Sequence, residues 1–561
     1  MAFQLSPGVN VSEIDLSTVI PSVSTTAGAI VGDFAWGPVN TRILVDSELT
    51  LVDRFGKPND DNFVSFFSAA NFLAYGNNLR VVRVVDNDSA IHANNATSQG
   101  TGVLIENETD YELNFSANTY TNFGGFYARY AGDLGNNIRV VACANTSGFS
   151  TWSYKTYFDT APGTSVYADS VGGSNDELHI AVIDDTGKIS GRAGTVLETF
   201  PHVSKASDAK NDDGSVNYYV SVIQNKSKWI YVASHIDSGW GVSAVGKTFS
   251  TTTPNYSDKL DGGLDVAALT SHYENGWDLF ANTEEVDVSL LVAGNASEMG
   301  TTVQDYVAQI AFNRKDAVAF LSPNRQYAVE TPSATNIVSY RETLNAGTSY
   351  SFMDSGWKYQ FDKYNNVYRW VPLNGDIAGL CVYTDSVRDP WWSPAGLNRG
   401  RIKNVVKLSW NPTKADRDTI YVAGVNPVVS FPGEGVVLYG DKTMQEKPSA
   451  FDRINVRRLF IVLEKAIAVA SKYSLFEFND EFTRAQFVAL VEPFLRDVKG
   501  RRGIYDYRVV CDSTNNTPEV IDANRFVGDI YIKPARSINF IQLNFVAVRT
   551  GVEFSEIVGK F

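Results

Sequence analysis

Two hydrophobic patterns alternate along the chain. Short apolar runs bounded by Gly, Asn and Asp, at residues 29–32 and 79–85, have the pattern of buried strands. Between them, residues 62–75 place Phe63, Phe66, Phe67, Ala70 and Leu73 along one helical face, and Ser47-Glu48 reads as a polar-capped helix start. The same α/β pattern returns as a strand at 287–292, a helix at 303–314 and a strand at 317–321. The intervening text reads differently, with strands predicted at 138–142, 178–183, 218–223 and 229–233 between Gly/Asn/Asp turns. Aromatic and polar residues alternate around Tyr364-Asn365-Asn366, the pattern of a hairpin. Two amphipathic helices follow. One spans 452–471, with Val456, Leu459, Leu463 and Ile467 on one face; the other spans 481–498, with Phe487, Leu490, Val491 and Phe494, bent at Pro493.

Both ends carry apolar segments without a partner nearby in sequence. Three β-rich runs, 507–511, 526–533 and 537–549, precede the C-terminus, and the third is apolar on both faces, as a central strand would be. Past Gly551 the chain continues through Val552, Phe554, Ile557 and Val558, too short to build a layer of its own. The N-terminal SPGVNVSEID likewise reads as one extended strand carrying Val9 and Val11. The expected fold is an α+β multidomain chain with a mixed α/β C-terminal core domain, a strand-rich middle domain and extended arms at both ends. Its divisions are an N-terminal arm at 1–25, a middle domain at 26–86 plus 126–345, a polar surface insertion at 87–125, a C-terminal core domain at 346–550 and a C-terminal arm at 551–561.

At 561 residues, 44% hydrophobic and 12% aromatic, the chain is globular. It has no apolar run of membrane-spanning length, and MAFQLSPGVN lacks the blocks of a signal peptide. The net charge of −15 is uneven: residues 451–561 hold 16 basic and 14 acidic side chains, net +2, leaving −17 for the rest. Such acidity disfavours direct nucleic-acid binding. Cys143, Cys381 and Cys511 are far apart in apolar text and read as buried thiols.

Gly241–Thr248 has the spacing of a phosphate-binding loop, but FSTTTPNYS follows it, β-branched and closed by Pro254. The helix whose N-terminus would face the phosphates is therefore not expected, and a Gly-rich strand connection is the cheaper reading. His92, His179, His202, His235 and His272 show no metal-ligand spacing. Glu284-Glu285 and Asp212-Asp213 read as solvated turns, and the aromatic block at 357–370 as hairpin packing.

SPGVNVSEID, TAGAIVGDFAWGPVN, ARYAGDLGNNIRV (128–140), DPWWSPAGLNRGRI (389–402), INVRRLFIVLEKAI (454–467) and FVGDIYIKPARSINFIQLNF together resemble the contractile tail sheath proteins of bacteriophages along nearly the full chain. The resemblance implies a virion tail subunit, assembled in the host cytoplasm, that stacks as hexameric rings into a helical tube around an inner tail tube. It also implies contraction, no catalysis, no metal and no cofactor, with the inner tube protein, baseplate and tail terminator as partners and no membrane insertion. Val9, Val11, Val552, Phe554 and Ile557 would then exchange strands between subunits. Arg453, Arg457, Arg458 and Lys465, on the more basic C-terminal helix, are candidates for the tube contact; pairing of Arg457 and Arg458 within their own domain is an equal reading.

Overall fold

Gly28–Gly32 (β1), GAIVG, is buried at every position, as a strand covered on both faces must be. The computed structural model to which it belongs describes residues 24–121, 123–235, 239–250 and 255–542. Ile43–Val45 (β2) leads into Glu48–Phe55 (α1), where the Ser47 hydroxyl accepts from the Thr50 amide as an N-cap. Phe63–Leu73 (α2) is buried continuously from Val64 to Phe72. It lies so close to β1 that a Cβ on Gly28 would sit 2.5 Å from Phe72 Cζ. Leu79–Arg83 (β3) follows and pairs parallel with β1.

From here the chain leaves the core and returns through a narrow neck: the Asp86 amide donates to the Val266 carbonyl, and Asn94 bridges Leu264. Within the excursion, Ile138–Cys143 (β4), Glu177–Asp184 (β5), Thr195–Ser204 (β6) and Asn255–Lys259 (β7) form an antiparallel sheet in the order β7-β4-β5-β6. Its two faces follow the period of two. Ile138, Val140 and Ala142 enter the main core of this region, whereas Val141 and Cys143 join Ala181, Ile183, Trp152 and Phe158 on the other side. Of residues 218–223, expected as a strand, 219–223 belong instead to the helix Tyr219–Lys226 (α3), with Tyr218 as its N-cap. The buried positions Tyr219, Val222 and Ile223 fall at i, i+3 and i+4, and that spacing outweighs the β-branched composition. The polar stretch 87–125 is stitched in as well. Ile105 and Tyr111 are fully buried, and Tyr111 stacks on Tyr231 with ring centroids 4.0 Å apart while donating to the Val232 carbonyl.

Back in the core, Thr270–Asp278 (α4) precedes Leu290–Val292 (β8), Thr301–Arg314 (α5), Val318–Leu321 (β9) and Ser351–Asp354 (β10). The expected hairpin is Trp357–Asp362 (β11) with Val367–Pro372 (β12). Asn374–Val387 (α6), Val425–Asn426 (β13) and Ile454–Ser471 (α7) complete this part. Among the described residues seven strands form one sheet in the order β13-β10-β9-β8-β1-β3-β2, parallel throughout except at β2. The strand order reverses between β1 and β8, the signature of a doubly wound sheet.

The chain divides between Glu477 and Phe478 into two units. The second begins with Glu481–Gly500 (α8), capped by Asp480 on the Thr483 amide and carrying Pro493 within it. Ile504–Val510 (β14) and Asp529–Pro534 (β15) pair antiparallel as a two-stranded sheet. Phe487, Val491, Leu495, Val498, Ile504 and Cys511 are the buried apolar residues of its described part. The strand expected at 537–549 is not formed in its described part: residues 537–542 carry no regular structure, and Ile538, Phe540 and Ile541 are 82%, 84% and 78% exposed. Among the described residues the sheet of this unit consists of β14 and β15 and does not take in residues 537–542. The remainder of that run, and both expected arms with Val9, Val11, Val552, Phe554 and Ile557, lie outside the described residues. Among the described residues no helix is long and apolar enough to cross a membrane.

Candidate functional site

In a doubly wound sheet the default ligand site is the crevice at the carboxyl ends of the strands where the order reverses, here β1 and β8. In this protein several of its polar groups bind one another. Asp33, just past β1, accepts from Ser65 Oγ and from the Tyr273 hydroxyl at 3.1 Å, and burial raises its carboxyl above the usual range. Past β8, the Gly294 carbonyl accepts from Asn374 Nδ2 at 3.1 Å, while the Asn374 amide donates to Ser322 Oγ at 3.0 Å. Ser322 Oγ in turn donates to Asp354 Oδ2 at 2.6 Å, and burial pushes Asp354 up to about 8, toward its neutral form. The N-terminus of α6 thus plugs the crevice.

The phosphate-loop spacing is also internally satisfied. Asp208 accepts from the Ala244 amide at 2.9 Å and from Ser243 Oγ at 2.5 Å, so a carboxylate of the chain itself already sits on a loop amide. Thr248 continues as a bridge to Ser174, and no helix opens at Lys247 in the described residues through 250.

One metal-like cluster escaped the sequence spacing, because its residues are far apart in the chain: Asp86, Asp88 and His272 bring ligand atoms within 4.8 Å of one another. The hydrogen bonds argue against an ion there. His272 Nδ1 accepts from the Leu269 amide, so Nε2 carries the ring proton and donates to Asp88 Oδ1 at 3.1 Å. The ring then has no free lone pair for a cation. Asp86 is occupied by the Asp88 and Ser89 amides and by Ser89 Oγ. All three cysteines are free and buried.

The four basic residues of the C-terminal helix lie on or beside α7, and each has partners in its own unit. Arg453, the N-cap residue, reaches Asp441 at 3.4 Å. Arg457 is buried between the rings of Tyr350 and Phe451, 4.1 and 4.0 Å away, and donates to Ser349 Oγ and the Tyr350 hydroxyl. Arg458 holds Asp385 with two hydrogen bonds of 2.8 and 2.6 Å, both side chains being buried. Lys465 contacts Asp287 at 2.6 Å and Asp316 at 3.5 Å. For Arg457 and Arg458 the geometry is therefore that of pairing within their own unit.

The fold defines a mixed α/β chain with a doubly wound core and a separate C-terminal unit. The comparisons with known proteins identify it further. Residues 267–444 match the phage tail sheath protein central domain, 446–547 the phage tail sheath C-terminal domain, and 25–84 the tail sheath protein Gp18 domain III N-terminal region. The chain is 35% identical to the tail sheath protein of Vibrio phage KVP40, covering 99% of this chain and 100% of the relative. It is 35% identical to that of Enterobacteria phage T4, covering 99% of each. Solved structures of similar fold include sheath tail proteins from Listeria innocua (TM-score 0.54, 10% identity, 92% of this chain and 96% of that one) and Desulfitobacterium hafniense (0.52, 12%, 90% and 94%). The contracted sheath of an extracellular contractile injection system is another (0.50, 13%, 97% and 98%). The chain belongs to the phage tail sheath protein family.

Proposed function

We propose that this protein is the structural, non-catalytic subunit of a phage contractile tail sheath, polymerising as stacked hexameric rings in a helical tube. The tube encloses an inner tail tube, ends at a baseplate and a terminator, and contracts to drive the inner tube through the host envelope. The observation that carries this reading is the incomplete sheet of the second unit. Among the described residues β14 and β15 pair only with each other, and the segment after β15 exposes Ile538, Phe540 and Ile541. Open edges and exposed apolar strand text are liabilities in a monomer and assets in a polymer. On this reading Val9 and Val11 of one subunit and Val552, Phe554 and Ile557 of another supply the missing strands, and subunits stay linked while their cores move apart.

Tube contact through Arg453 and Lys465 stays part of the proposal, since both are at the margin of their clusters, with side chains 18% and 13% exposed. Arg457 and Arg458 fit it less well, because a buried guanidinium gives up its partners only at a cost of about 3–5 kcal/mol.

Electron microscopy of the purified full chain tests the assembly. Helical tubes are expected, and a chain lacking residues 551–561 should stay folded by circular dichroism yet sediment as a monomer. Long ordered tubes from that truncation would overturn the strand-exchange reading.

A further inference from the structure

Two of the basic residues on α7 contact the start of the core. Arg458 and Lys465 are seven residues apart, two helical turns, and so point from the same face. Arg458 grips the Asp385 carboxylate, and Thr25 Oγ1 donates to that same carboxylate at 2.6 Å. Arg458 Nη2 also approaches the Thr25 carbonyl at 3.5 Å. One turn-pair further along, Lys465 Nζ donates to Ser289 Oγ at 3.0 Å, and Ser289 Oγ donates to the Ser24 carbonyl at 3.1 Å. The next carbonyl in line, that of Ala27, accepts from the Ser289 and Leu290 amides where β1 joins β8.

We propose that α7 anchors the N-terminal arm, Arg458 through Asp385 and Lys465 through Ser289 fixing Thr25 and Ser24, so that tension on the arm enters the chain at the buried centre of its own core. This rests on the strand-exchange reading: an arm paired with a neighbour transmits force only if its root cannot slip. The chemistry suits that task. Arg458 and Asp385 have side chains only 4% and 6% exposed, so water and salt do not screen the pair as they would at a surface. Thr25 and Ser289 are then positioning residues that couple the backbone of the root to two fixed charges. The sequence signal was present, since the basic residues of 454–467 attract notice, but their partners lie 73 and 178 residues away.

The test uses the full chain with Thr25→Val and Ser289→Ala, singly and together. Neither change strands a buried charge, because Arg458 keeps Asp385 and Lys465 keeps Asp287. Circular dichroism and the thermal midpoint of the isolated subunit should match the wild type. Elastase cleavage between residues 20 and 27 should accelerate about tenfold in the double variant, as expected when two hydrogen bonds no longer oppose local opening. Tubes of the double variant should release subunits at lower urea than wild-type tubes. Cleavage within twofold of wild type would overturn the anchor, and faster cleavage with unchanged tube resistance would overturn its role under tension. Should the wild type form no tubes, the strand-exchange reading fails, and the cleavage comparison still decides whether α7 holds the root.

Discussion

Lys358 and Asp376 face each other in the interior, the Lys358 ammonium 2.9 Å from the carboxylate and both side chains at 1% exposure or less. Burial pushes the lysine down and the aspartate up, each toward its neutral form, and the pair is held by the Lys403 carbonyl and the Tyr75 hydroxyl. Lys358→Ala should therefore destabilise the first unit by about 3–5 kcal/mol, because it leaves Asp376 without its counter-charge. Urea unfolding checks this, and a loss under about 1 kcal/mol, the range of a surface pair, would show that the pair is solvated.

Asp354, pushed up to about 8 by burial, gives stability a pH dependence of definite sign. In the unfolded chain it loses its proton near pH 4 and in the fold only near 8, so its contribution is full below about pH 4 and declines as pH rises to 8. Asp354→Asn removes the titration and keeps one acceptor for the Gly356 amide, its Nδ2 facing the Ser322 hydroxyl as a donor. The stability of the variant relative to the wild type should rise between pH 4 and pH 9. Equal offsets at the two values would mean that Asp354 carries no proton.

His179 works in the opposite direction. Its Nε2 donates to the Thr160 carbonyl at 2.8 Å and its Nδ1 accepts from the His202 amide at 3.0 Å, with Phe158 stacked on the ring, and burial lowers its pKa. The neutral ring stabilises the fold above about pH 6.5, and that contribution is lost as pH falls. His179→Gln can make both bonds without titrating. Its urea midpoint should vary less between pH 7.5 and 5.5 than that of the wild type, and parallel curves would refute the assignment.

Lys247→Ala should leave assembly and nucleotide binding unchanged, since Asp208 already holds the loop amide. Calorimetry with ATP checks it. Saturable binding in the wild type that disappears in the variant would restore the phosphate-loop reading.

The parts legible in the sequence are those where a short period decides. The buried run of β1, the cap at Ser47, the α5 unit between β8 and β9 and the hairpin of β11 and β12 all follow from local spacing. Residues 218–223 were misleading because Tyr, Val and Ile favour strands while their burial spacing is helical, and only tertiary packing separates the two. Residues 537–542 have the text of a central strand, yet among the described residues they do not join the β14–β15 sheet. The roles of Arg457 and Arg458 were illegible for another reason: whether a cation on an amphipathic helix points to solvent or to Asp385 and Tyr350 is set by contacts more than 70 residues distant.

The neck between Asp86 and Val266 also fixes an order of events during synthesis. β1 and β3 are made early, but the β8 strand that completes their sheet comes only after the whole strand-rich excursion, about 200 residues later and so roughly 10–40 seconds at ordinary elongation rates. The excursion has its own core and antiparallel sheet, so it can close while the apolar strands that precede it still wait. A nascent chain of this protein therefore carries GAIVG paired on one edge with LRVVR and open on the other until residues 290–292 are made, and that interval is when it most needs a chaperone.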